Sequence, residues 1–134
     1  MSEKLFDVRG RNALITGASR GIGFALARGL GRAGARPVLN GRNEETLDAA
    51  VAALAKEGIA AKTCAFDVTS HTQASASIAE LEATGTQIDI LINNAGMQTR
   101  APLQDFEVDK FDQLIATNLR SVFSVSQAVA KPMM

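Results

Sequence analysis

The first residues able to do chemistry are the eight that follow the apolar run Ala13-Leu14-Ile15. They read Thr16-Gly17-Ala18-Ser19-Arg20-Gly21-Ile22-Gly23. A strand that breaks into a glycine loop and then opens a helix presents free backbone N–H groups, which attract an anion. Gly17 permits the tight turn, Gly21 lets the backbone approach a diphosphate, and Gly23 lets the helix lie close to the strand. Ser19 adds a hydroxyl donor. The G-x-x-x-G-x-G spacing differs from the common G-x-G-x-x-G, and no Lys-Ser/Thr pair follows, which disfavours a triphosphate loop. A plain glycine-rich turn is the alternative.

The next signal is the stretch Leu39-Asn40-Gly41-Arg42, where a dinucleotide fold would place an acidic residue against the ribose 2′-hydroxyl. No carboxylate stands there. Asn40 is neutral, Arg42 is cationic and Arg20 converges from the glycine loop, so a 2′-phosphate meets attraction and NADP is favoured over NAD. Two solvated surface arginines are the bland alternative. Asp67-Val68 ends a third apolar stretch, at the edge where open α/β sheets bind ligands. Its carboxylate can take a bond from an adenine amino group, or serve a turn or helix cap. Asn93-Asn94-Ala95-Gly96 follows a fourth stretch. There, Asn side chains can hold neighbouring backbone and the small Ala95-Gly96 pair leaves room for a ribose, although alone the tetrapeptide is a turn signal. Asn118 shares the apolar stripe of a long helix, so its amide needs a partner, in a structural or a functional role. His71 reads as solvent-facing and Cys64 as a core residue.

The elements that must position these groups alternate strand and helix. Ala13–Ile15 reads as a buried parallel strand, and the following helix places Ile22, Leu26, Gly29, Leu30 and Ala33 on one face before Gly34. Pro37–Leu39 is a second strand. Asn43 caps a helix with Leu47, Ala50, Val51 and Leu54 inward, closed by Gly58. A third strand covers about 60–66. Thr69 or Ser70 caps a weaker helix carrying Ile78 and Leu81, and residues 88–92 form a fourth strand. Residues 98–105 read as a loop. A long helix from Val108 to about Lys131 carries Phe111, Leu114, Ile115, Leu119, Val122, Phe123 and Val129, with Pro132 at its end. This pattern gives an α/β class: a parallel sheet with helices on both faces, about four strands and four helices. A complete doubly wound dinucleotide fold has about six strands, so these residues 1–134 are expected to be its N-terminal portion.

Composition narrows the chemistry. The chain has 134 residues and a mass of 14.1 kDa, and is 46% apolar and 21% charged, as a folded single-domain protein would be. Fourteen basic and fourteen acidic side chains cancel, which argues against a general nucleic-acid binder. Residues 1–42 nonetheless hold eight Lys/Arg against two Asp/Glu, so an anion belongs in the first third. There is no Tyr or Trp and only one His and one Cys, which leaves little for acid-base work and no disulfide or Cys-based metal site. No apolar leader or membrane-length run is present, and a reducing cytoplasmic setting is expected.

With TGASRGIG after the first strand, Asp67 after the third, NNAG after the fourth and Asn118 in the next helix, the chain resembles the short-chain dehydrogenase/reductase family along its whole length. The stretches LFDVRGRNALITGASRGIGFALARGL, VLNGRN and NNAGMQTRAPL resemble the gluconate 5-dehydrogenase group within it. Sugar, polyol and 3-oxoacyl reductases share much of the pattern. The resemblance implies NADP-dependent hydride transfer between a secondary alcohol and a ketone, D-gluconate and 5-keto-D-gluconate in the narrower group. It implies that Gly17, Arg20, Ile22 and Gly23 meet the diphosphate region, Arg42 the 2′-phosphate, and Asp67 and Val68 the adenine. Asn94, Ala95 and Gly96 would meet the adenine-side ribose. Asn118 would be the family's catalytic Asn, whose helix positions a water in the proton relay. Arg100 is a candidate partner for a sugar-acid carboxylate, on its charge and position. The family's Ser and Tyr-x-x-x-Lys are not in this sequence, so the 134 residues are expected to hold cofactor without turning substrate over. A stand-alone NADP-binding or interaction module is the competing reading. An unpaired sheet edge and an uncovered apolar helix face predict self-association, and the family's enzymes are usually tetramers.

Overall fold

The computed structural model describes residues 2–134. A single helical turn, α1 (Ser2–Leu5), leads into β1 (Asn12–Ile15), α2 (Gly21–Arg32), β2 (Arg36–Gly41), α3 (Glu44–Ala55) and β3 (Lys62–Ala65). Then come α4 (His71–Ala83), β4 (Ile90–Ile92), a 3₁₀ turn at Leu103–Asp105, α5 (Val108–Ile115), a π turn at Ala116–Arg120 and α6 (Ser121–Met133). The four strands form one parallel sheet in the order β3-β2-β1-β4, with Ile15 opposite both Leu39 and Ile92. The chain builds outward from β1 to β3 and then crosses to the other side of β1. The loops after β1 and β4 therefore meet at the switch point where open α/β sheets bind ligands.

Neighbouring strand residues point to opposite faces, and the core divides accordingly. Ile15 and Leu39 pack with Ala27, Leu47, Ala50 and Leu54 under α2 and α3, while Leu14 and Val38 pack with Ile78, Leu81, Val125 and Val129 under α4 and α6. Both faces are covered, which is why the central strands are apolar on successive residues. Leu14, Ile15 and Leu39 are wholly enclosed, each burial being worth about 1.5–3 kcal/mol. Asn43 caps α3 by accepting from the Thr46 amide at 3.1 Å, and Ser70 caps α4 through the Gln73 amide at 3.3 Å.

Two helix faces differ from the pattern expected of the sequence. On α2 the inner row is Gly23 and Ala27, continued by Gly31, whereas Ile22 is 75% exposed and Leu26 also reaches solvent. Closeness decides the face: a Cβ on Gly31 would run into the Ile59 side chain, so small residues turn inward and the larger apolar ones stay outside. In the long helix, the packed face of α6 is Ser121, Ser124, Val125 and Val129. Phe111, Leu119 and Phe123 are 54%, 65% and 68% exposed, and Asn118 is also exposed instead of lying on a buried stripe. The π turn between α5 and α6 adds a residue to the helical repeat and rotates the following register, which a constant 3.6-residue period does not follow.

Candidate functional site

The loops after β1 and β4 are knitted together by Thr16 and Asn94. The Thr16 hydroxyl is buried and accepts from the Asn94 and Ala95 amides, each at 2.9 Å. In return the Asn94 side-chain amide donates to the carbonyls of Thr16 at 3.1 Å and Gly17 at 3.2 Å. Gly17 takes φ +61°, and a Cβ there would lie 3.0 Å from the Ala95 Cα. Gly23 is more confined still, since its Cβ would strike the Gly17 carbonyl, come within 2.6 Å of the Asn94 amide nitrogen and press on Ala18. No larger residue lets α2 start this close to the strand end.

Arg20 is extended at the start of α2, and no side chain caps the helix among the described residues. The first-turn N–H groups therefore have no side-chain cap and the helix dipole behind them, which favours an anion. Arg20 and Arg42 are exposed at this edge. Asp67 Oδ1 accepts from the Thr69 hydroxyl at 2.7 Å and the Thr69 amide at 2.9 Å. The Thr69 hydroxyl bond, the amide bond and the nearby Arg42 charge hold the Asp67 carboxyl below the usual carboxylate range despite some desolvation. Because the folded value is lowered, this contribution is present above the unfolded pKa and lost as pH falls through the folded one.

Three expected ligand contacts are turned elsewhere. Asn40 is only 1% exposed: its Oδ1 accepts from the Gly17 amide, and its Nδ2 donates to the Cys64 and Phe66 carbonyls. An amide so enclosed has no free face for a nucleotide. The Asn94 amide is committed to the loop clamp, and the Val68 side chain lies in the core, leaving backbone at both positions for a ligand.

Beyond the clamp opens a cleft of about 780 Å³, lined by Asn93, Ala95, Gly96, Met97, Asn118 and Val122 among others. Asn118 sits in the π turn. Its Oδ1 accepts from the Met97 amide and its Nδ2 donates to the Met97 carbonyl, both at 2.8 Å, so one side chain pins the strand-four loop as a backbone partner would. Gly96 keeps this approach open, as a Cβ would lie 3.3 Å from Asn118 Oδ1. Arg100 follows in the same loop, where the Gln98 side-chain oxygen, in the amide orientation its surroundings require, accepts from Nη2 at 3.0 Å and Nε at 3.1 Å. This leaves a positioned guanidinium at the loop that borders the cleft.

His71 is exposed, as expected, but its Nδ1 lies 2.8 Å from Ser124 Oγ between α4 and α6. Cys64 is buried, and its desolvated thiol is pushed up to about 11, so it is no nucleophile at neutral pH. Among the described residues no group of three or more His, Cys, Asp or Glu side chains is arranged to hold a metal ion. The Thr16 hydroxyl and the Met97 backbone are the parts of the site that the sequence did not announce. Thr16 stood in the glycine-loop stretch with no role of its own, and a backbone partner carries no residue signature.

A parallel β3-β2-β1-β4 sheet with helices on both faces and a glycine loop at its switch point defines a Rossmann-like fold. The family model described as short chain dehydrogenase matches residues 11–134, and the chain belongs to that family. A gluconate 5-dehydrogenase of Gluconobacter oxydans is 52% identical over 129 residues, covering 96% of this chain and 50% of that protein. A 5-keto-D-gluconate 5-reductase of Escherichia coli is 43% identical, covering 96% of this chain and 51% of its own. A solved gluconate 5-dehydrogenase from Burkholderia cenocepacia, in complex with NADP and tartrate, is 50% identical and matches with a TM-score of 0.92 over 98% of this chain and 51% of that one. The chain spans about half the length of the curated relatives it matches.

Thr16→Val keeps the shape of the side chain and removes the acceptor shared by two amides. Each amide left unsatisfied costs about 1–3 kcal/mol. Urea unfolding is expected to show a loss of at least that size, and an unchanged midpoint would contradict the clamp.

Proposed function

We propose that residues 1–134 form the NADP-binding portion of an oxidoreductase that interconverts a secondary alcohol and a ketone, with D-gluconate and 5-keto-D-gluconate as the pair. The observation that carries this reading is the uncapped start of α2, held against the Thr16–Asn94 clamp with Arg20 and Arg42 beside it. The confinement of Gly23 supports it, because that closeness brings the helix start to the strand edge where a diphosphate can bridge to it. In this reading Gly17, Ser19, Arg20, Gly21, Ile22 and Gly23 surround the diphosphate, Arg42 takes the 2′-phosphate, and Asp67 with the Val68 backbone takes the adenine. Asn94, Ala95 and Gly96 border the ribose. When bound, NADP supplies the hydride-accepting group. Asn118, fixed on Met97, holds its helix in place for the proton relay, and Arg100 pairs with the substrate carboxylate.

The relatives named for gluconate and 5-keto-D-gluconate support the substrate choice. Among the described residues no helix is long and apolar enough to cross a membrane, and with a single Cys this supports a cytoplasmic setting. The exposed Phe111, Leu119 and Phe123 support a homo-oligomer.

A charge-assisted contact is worth about 1.5–3 kcal/mol, so Arg42→Ala should weaken NADP⁺ binding roughly tenfold to a hundredfold while leaving NAD⁺ almost unchanged. Calorimetric titration of both nucleotides checks this, and an equal loss for the two would sink the 2′-phosphate assignment. In an active complete enzyme Arg100→Ala should raise the KM for gluconate, and an unchanged KM would remove Arg100 from the substrate site. With no Tyr in the sequence, the 134 residues alone should show no NADPH-linked reduction of 5-ketogluconate. Measurable turnover would overturn that expectation.

A further inference from the structure

We infer that Asn40 is a positioning residue for the nucleotide site, tying the glycine loop and the end of β3 into one unit without touching the ligand; this rests on the dinucleotide-binding reading above. Asn40 lies near the end of β2, between β1 and β3, and is 1% exposed. Its side chain uses every hydrogen it has: Nδ2 donates to the Cys64 carbonyl at 3.1 Å and the Phe66 carbonyl at 3.0 Å. Its Oδ1 accepts from the Gly17 amide at 3.3 Å. The backbone adds a bond from the Ala18 amide to the Asn40 carbonyl at 2.8 Å, which any residue in that place would provide.

Backbone bonds hold each region to β2, from the Ala18 amide to the Asn40 carbonyl and from the Phe66 amide to the Gly41 carbonyl. The Asn40 side chain adds a direct link between the two regions, which are assigned to different parts of one ligand. Gly17 opens the loop assigned to the diphosphate. Phe66 immediately precedes Asp67 and Val68, assigned to the adenine. A ligand that bridges both gains most when their separation is fixed before it arrives, because the ordering cost is then not charged to binding. An aliphatic residue at 40 would withdraw all three bonds. A carboxylate of the same shape would keep the Gly17 bond and set a negative charge against two carbonyl oxygens, so amide chemistry as well as size is required.

The test is Asn40→Ala in the complete protein, at a temperature where circular dichroism reports the native fold. NADP⁺ affinity by calorimetry is expected to fall at least tenfold. Hydrogen exchange is expected to quicken together in peptides covering 16–23 and 64–68, while peptides from α6 keep the unsubstituted rate. An affinity within twofold, or exchange that rises throughout the chain, would reduce Asn40 to a stability role and overturn the inference. If the alanine variant does not fold, Asn40→Ser, which keeps a hydroxyl, should give the same pattern at smaller amplitude and is judged by the same two outcomes. Should the unsubstituted protein not bind NADP⁺, the dinucleotide reading fails. The exchange measurement still decides the coupling, and quickening of only one segment contradicts it.

Discussion

The Thr16 hydroxyl accepts from two successive amides, Asn94 and Ala95, and in doing so fixes the loop after β4 against the loop after β1. The other features of the switch point depend on this pairing. It places the Asn94 side chain over the Thr16 and Gly17 carbonyls, and the space left beside it is why position 23 tolerates no Cβ. The α2 helix then begins directly at the strand edge, with no side chain capping its first-turn N–H groups. A chain that relaxed this contact would keep its sheet and lose the cradle.

Farther along the same loop, at Met97, Asn118 of the π turn repeats the device at longer range, pairing with both backbone groups of Met97. The π turn makes this possible, since it sets Asn118 apart from the face of α6 that packs on the sheet. A single irregularity thus serves two ends: α6 can bury Val125 and Val129, while Asn118 faces the cleft. Leu119 and Phe123 are left toward solvent, as is Phe111 on α5, apolar side chains with no partner among the described residues.

The sequence made some of this legible and hid the rest for physical reasons. Strand, glycine loop and helix were readable because the loop demands glycine and the buried strands demand unbroken apolar residues. Asn43, with helix spacing behind it, announced α3. The inner face of α2 was hidden because apolar size is a guide only where there is room, and here close approach selected Gly23, Ala27 and Gly31 over Ile22 and Leu26. The packed face of α6 was hidden by the π turn, which breaks the period used to read it. Asn40 was visible as a polar residue at the right strand end. Its direction was not: both faces of β2 are covered, so Asn40 is enclosed inside the strand, while Arg42 lies just past the strand end and remains at the surface.

The central claim is that the start of α2 and its clamp receive a phosphorylated dinucleotide. Titration of NADP⁺ into isotopically labelled protein, followed by amide NMR shifts, tests it most directly. The expected result is saturable movement of the Ser19, Arg20, Gly21 and Ile22 amides together with Arg42 and Ala95. Shifts confined to the groove between α4 and α6 around His71, or none at all at millimolar nucleotide, would contradict the account.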